Sequence, residues 1–199
     1  MSSTEQAPTS VAQESTRRRL SVQQAETVAK LTDAAVVVLN EVGFDGLTVR
    51  TVAKRAGVAP ATAYTYFSSK SHLVAEVFWR RLADGVPEPD STRSRTDRVT
   101  EVLRAVALVA AGQGQLSGAV TVALLGSDPD VEHLRLRIGG FIRVRLAQAL
   151  DVDPDDPGPV VDTLELLYAG ALVHAGMGHL SYEATAERLV AAALRVLDH

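Results

Sequence analysis

The chain has 199 residues, enough for one sizeable domain or a small domain fused to a larger one. An apolar content of 46% with 22% charged residues is ordinary for a globular protein, and the absence of cysteine excludes disulfides and thiolate metal sites. A net charge of −4 argues against a protein that coats nucleic acid along its whole length.

The charge is unevenly spread. Arg17 to Lys70 holds eight basic and four acidic residues, including all three lysines, Lys30, Lys54 and Lys70, whereas the chain from Ser71 onward holds twelve basic and eighteen acidic. The longest purely apolar run, Ala105 to Ala111, is far short of the roughly 20 residues a membrane span needs. No membrane segment is expected, and the cytoplasm is the expected compartment.

Residues 1–20 are polar and read as a disordered tail ending in the basic triplet Arg17, Arg18 and Arg19, which either reaches DNA phosphates or is a solvated run. Helical spacing dominates the remainder. Val28, Leu31, Ala35, Val38, Leu39 and Val42 form the stripe of a first helix that Gly43 ends. Thr48 suits the N-cap of a second helix reaching Ala56, Gly57 supplies a turn with positive φ, and Pro60 starts a short third helix ending near Phe67. A fourth helix begins at Ser68 or Ser69 and carries Leu73, Val77, Phe78 and Leu82.

The Pro-, Asp-, Ser- and Arg-rich stretch from Gly85 to Thr96 reads as a hinge. Beyond it come a fifth helix over Val99 to Ala110, a short sixth over Val120 to Leu125, a seventh opened by Asp128 and Pro129, an eighth from Val160 to about Gly178, and a ninth from Tyr182 to Leu197. The expected fold is all-α, with about nine helices. A helix-turn-helix domain at 21–84, with its motif at 48–67, precedes a helical bundle at 85–199.

The informative stretch is Leu47 to Lys70. Two short helices joined by a tight glycine turn present the second one outward, the geometry that enters a DNA major groove. Val52, Ala53, Ala56, Val58, Ala63 and Phe67 should face inward, leaving Arg50, Thr62, Tyr64, Tyr66 and Lys70 outward. Arginine pairs bidentately with guanine, while Thr, Tyr and Lys donate to phosphate oxygens. A plain helical corner would have the same apolar pattern.

These residues resemble the tetracycline-repressor (TetR) family. The match runs through Gly43 and Phe44, Thr48-Val49-Arg50-Thr51-Val52-Ala53, Ala56-Gly57-Val58, and Thr62-Ala63-Tyr64-Thr65-Tyr66-Phe67 with Lys70, without a gap, and covers about Val28 to Phe78 in detail. The resemblance implies a DNA-binding set of Arg50, Pro60, Ala61, Thr62, Tyr64, Tyr66 and Lys70, in which Arg50 and Thr62 meet the groove and Tyr64 and Lys70 clamp phosphates. Ala59 departs from the family's usual capping Ser, Ala61 from a common Gly, and Ser71 from the usual Glu.

The resemblance also implies a C-terminal effector-binding and dimerisation domain, with the eighth and ninth helices forming a four-helix interface between two copies. Leu103, Ala107, Val120, Leu124, Phe141 and Tyr168 are candidate walls of an effector pocket, and Gln113, Arg137 and His174 candidate anchors. Each also suits ordinary core or surface. His174 and His179 are five apart, off a common helix face, so no metal site is expected. Asp151, Asp153, Asp155 and Asp162 mimic calcium-loop spacing, yet Asp156 stands where glycine is needed.

The combined expectation is a homodimer that binds a palindromic double-stranded DNA operator, represses, and is released by a small-molecule effector, with no cofactor and no catalytic group. The alternatives are a constitutive repressor without a ligand, and a helical enzyme or metal-binding module with an incidental helix-turn-helix.

Overall fold

The computed structural model describes residues 22–109, 111 and 115–198. The basic triplet, the polar tail and Gln113 lie outside them. Nine helices and no strand are found among the described residues: α1 (Val22–Gly46), α2 (Val49–Ala56), α3 (Pro60–Tyr66), α4 (Lys70–Gly85), α5 (Arg95–Leu108), α6 (Gln115–Leu125), α7 (Pro129–Leu150), α8 (Gly158–Gly176) and α9 (Tyr182–Leu197).

Local chemistry sets most of these boundaries. Side-chain oxygens of Thr48, Ser69, Ser94, Asp128 and Ser181 accept backbone N–H groups at the starts of α2, α4, α5, α7 and α9, satisfying donors that have no intrahelical partner. Gly43 interrupts α1 with a φ of 69°, and Gly57 ends α2 with a φ of 66°, both in the left-handed region that a side chain disfavours. Asp151 takes a φ of 55° after α7 without being glycine, and the Arg98 guanidinium grips its carboxylate from α5.

The α1 stripe is buried at Val28, Leu31, Ala35, Val38 and Leu39, but Val42, expected to continue it, is 51% exposed. The stripe therefore stops just short of the glycine that breaks the helix. The sixth helix starts five residues earlier than its apolar pattern suggests, at Gln115, because Asn40 Oδ1 of α1 accepts the Gln115 N–H at 3.2 Å and supplies a cap from outside.

α4 is the central element. It packs against α1, α6 and α7, and every residue from His72 to Trp79 is buried. Such a helix has no free face, so a movement of any neighbour is felt by it. α5, α8 and α9 form the far side, with α9 laid along both others. At the crossing of α6 and α8, a Cβ on Gly176 would lie 1.8 Å from Thr121 Oγ1, so only glycine permits this approach. Tyr182 Oη donates to Ser117 O at 3.2 Å on the same side of α6.

Candidate nucleic-acid interface

The second and third helices are built to hold one another rigidly and leave one side open. Thr51 N–H donates to Thr48 Oγ1 at 3.0 Å, and Thr48 N–H donates to Thr51 Oγ1 at 3.1 Å, a reciprocal cap that fixes the start of α2. At the other end, Val58 N–H donates to Ala53 O at 2.9 Å across the Gly57 turn. Pro60 then begins α3 with its φ already suited to a helix, while Ala59 offers no side-chain cap. Leu47, Val52, Ala53, Ala63 and Phe67 are fully buried beneath this pair, so α3 is held by packing.

Most of the residues expected to face outward do so. Arg50, Pro60, Ala61, Thr62 and Tyr64 are exposed, and Tyr64 keeps 52% of its surface in solvent despite being aromatic. Thr65 Oγ1 donates back to Ala61 O at 3.0 Å, which turns it away from that role. Tyr66 is half-buried and packs on the core, so its ring belongs to the head as much as to its surface.

Lys70 has a more definite place than its sequence position suggests. Its ammonium donates to Phe44 O at 2.9 Å and Asp45 O at 3.4 Å and lies 4.5 Å from the Phe44 ring centroid. The lysine therefore ties the first turn of α4 to the break in α1. Arg55 pairs with Glu41 at 2.8 Å, while Arg50 and Lys54 are exposed cations on the outer side of α2.

The residues expected to line an effector pocket divide. Leu103, Ala107, Val120 and Tyr168 are buried, and burial pushes the Tyr168 hydroxyl up to about 12, so it remains a neutral phenol. Leu124 is half-buried. Arg137 and Phe141 of α7 converge instead on Trp79 of α4, with the guanidinium 4.7 Å above the indole and the phenyl ring edge-on at 5.5 Å. Nearby on α4, Glu76 is fully buried, receives the Arg80 Nε–H at 2.9 Å, and has its carboxyl raised above the usual range by loss of solvent.

His174 is exposed and lines a groove of about 340 Å³ between α8 and α9 with Leu166, Gly170 and Leu189. The spacing of His174 and His179 did not place them together, yet their rings lie 5.5 Å apart because α8 ends at Gly176 and the chain reverses through Gly178. Among the described residues no three His, Asp or Glu side chains cluster as a metal site would require. No described helix is long and apolar enough to cross a membrane.

Two pairs at the end of α3 have no counterpart in the sequence pattern: Ser68 meets Asp130, and Ser69 meets Asp128. The capping role of Asp128 is legible locally, but its partner lies 59 residues away.

Comparison with known proteins agrees with this geometry. The sequence pattern of bacterial regulatory proteins of the tetR family matches residues 31–77, which span the helix-turn-helix and the start of α4. An uncharacterized HTH-type transcriptional regulator of Mycobacterium tuberculosis is 45% identical over 168 residues, 83% of this chain and 78% of that protein. The crystal structure of a TetR transcriptional regulator from Rhodococcus sp. RHA1 superposes with a TM-score of 0.70 at 25% identity, covering 90% of this chain and 99% of the other. BioQ, solved with its double-stranded DNA operator, shares the fold with a TM-score of 0.59 at 18% identity, covering 83% of this chain and 96% of its own. With a capped helix-turn-helix at the matched residues and close similarity along most of its length, the chain belongs to the tetR family and is a DNA-binding transcriptional regulator, not an enzyme.

Proposed function

We propose that two copies of the chain, paired through α8 and α9, bind a palindromic operator as a repressor and release it when a small apolar or amphipathic molecule binds the C-terminal helices. In this reading residues 21–84 are the reading head and 85–199 the effector and dimerisation body, acting in the cytoplasm where the chromosome lies. The observation that carries it is the exposed outer side of α2 and α3, with Arg50, Thr62 and Tyr64 displayed on a pair of helices fixed by the Thr48 cap and the Gly57 turn.

Pairing is supported by the outer side of α8, where Leu166 is 78% exposed at the groove against α9, and by Met177, which is 61% exposed just past the end of that helix. Apolar side chains so exposed on one side of α8, about three turns apart, suit a partner helix, and one short reading helix contacts too few bases for specificity alone. Coupling is supported by α4, which begins at the reading head and is enclosed by α6 and α7 of the body.

The reading is tested by screening small apolar molecules for release of the protein from DNA. A true effector binds the free protein more tightly than the DNA complex, and linkage requires operator to weaken the effector by the same factor, typically about 5–150-fold. A screen whose binders all show equal affinity for the two states would favour a repressor without a ligand.

A further inference from the structure

The reading head is fastened to the body by polar ties as well as by the core, and both lie at the ends of α6. The first is the Asn40 to Gln115 bond at 3.2 Å, where α6 begins. The second is at the turn from α6 into α7. Here Ser69 Oγ donates to Asp128 Oδ2 at 2.5 Å and Ser68 Oγ to Asp130 Oδ2 at 2.6 Å, across 59 and 62 residues of chain.

Each partner is itself held in place. Ser69 Oγ caps α4 by accepting the His72 N–H at 2.9 Å, and Asp128 caps α7 by accepting the Asp130 N–H through Oδ1 at 2.9 Å. The Ser68 N–H donates to His72 Nδ1 at 3.4 Å, and that buried ring rests edge-on against Phe67 at 5.5 Å. The N-termini of two long helices thus meet cap to cap. Any displacement of the start of α7 from the start of α4 must break these bonds or drag the turn at which α3 ends.

We propose that Asp128 and Asp130 are positioning residues for operator binding: through Ser69 and Ser68 they set the angle of the reading head on the body, and with it the separation of the two heads in the dimer. The inference rests on the operator-binding dimer described above. Its sign separates it from simple electrostatics. Two carboxylates beside a DNA-binding turn repel phosphate, so if charge alone mattered their removal would tighten binding to every duplex. A positioning role requires instead that discrimination between head separations be lost.

The test uses duplexes selected by the wild-type protein from a random-sequence pool, together with the same duplexes lengthened or shortened by one base pair at the centre. Asp128→Ser keeps a capping oxygen for α7 but is too short to reach Ser69, and Ser68→Ala leaves both caps intact. The doubly substituted protein should melt within a few degrees of wild type. Its preference for the selected spacing over the shifted ones should fall by about tenfold, the scale of one charge-assisted hydrogen bond. Ser68→Ala alone should show part of that loss, which keeps the test open should the double variant fold poorly.

Unchanged spacing preference in both variants overturns the proposal, as does uniformly tighter binding with the preference retained. A wild-type protein that selects no duplex overturns the operator-binding reading and this inference together.

Discussion

Removing the Lys70 side chain beyond Cβ is the most informative single perturbation, because the structure gives it a different first duty from its place in the motif. Lys70→Ala deletes an ammonium that donates to Phe44 O at 2.9 Å and stacks 4.5 Å from the Phe44 ring. A hydrogen bond from a charged donor contributes about 1.5–3 kcal/mol and an exposed cation–π contact about 0.5–1 kcal/mol. Lys70 is only half-buried, so a net loss near the lower end, about 2 kcal/mol, is expected. For a chain of this size that corresponds to a fall of roughly 4–8 °C in melting temperature. Differential scanning calorimetry of wild type, Lys70→Ala and Lys70→Gln checks it, since the glutamine amide can restore a neutral bond and should recover part of the loss. If the ammonium also reaches a phosphate when DNA is bound, Lys70→Ala will flatten the dependence of log K on log salt by about 0.9. A melting temperature equal to that of wild type would show that Lys70 does not tie α4 to the turn after α1.

Other consequences follow from particular positions. Gly57→Ala meets no atom within 4 Å, so its cost is that of a left-handed residue with a side chain, about 1–2 kcal/mol in urea denaturation, with Gly57→Asn between the two. Gly176→Ala would drive a Cβ into Thr121 and should cost about 1–3 kcal/mol, partly relieved by adding Thr121→Gly. Burial raises the Glu76 carboxyl above its ordinary value of 4.5, so the native state holds its proton more tightly than the unfolded chain does. Its favourable contribution is full below that value and is lost as pH rises through the higher native pKa. Glu76→Gln should therefore gain in melting temperature relative to wild type as pH rises from 4.5 toward neutrality, and a constant difference would contradict the assignment.

What could be read from the residues was governed by chain distance. Thr48, Ser69 and Asp128 announce helix starts because a cap bonds within two or three residues, and the ninth helix occupies the expected range, Tyr182 to Leu197. The start of α6 was hidden because Gly114 and Gly118 resemble breakers and its external hydrogen-bond partner is Asn40, 75 residues earlier. Lys70 shows the same limit within the recognised motif. Its type suits phosphate, but nothing local reveals carbonyls 25 and 26 residues upstream. The candidate effector walls are apolar positions on helices, a criterion that cannot separate the buried Leu103 and Ala107 from Phe141, which leans on Trp79, and polar type alone cannot separate Arg137, which stacks on Trp79, from His174, which faces solvent. Helical spacing does not foretell the His174–His179 contact for a related reason, because the chain reverses at Gly178 between the two rings.

The central claim is that α3 reads DNA as one of a pair, and hydroxyl-radical and methylation footprinting of the region upstream of the protein's own gene tests it directly. Two protected major-groove half-sites should appear, with centres about 34–36 Å apart or at a multiple of the helical repeat. Protection should weaken throughout when Tyr64 is replaced by Ala, and lose sequence preference when Arg50 is replaced. Protection that survives both substitutions, or a single unpaired site occupied by a monomer, would contradict the account.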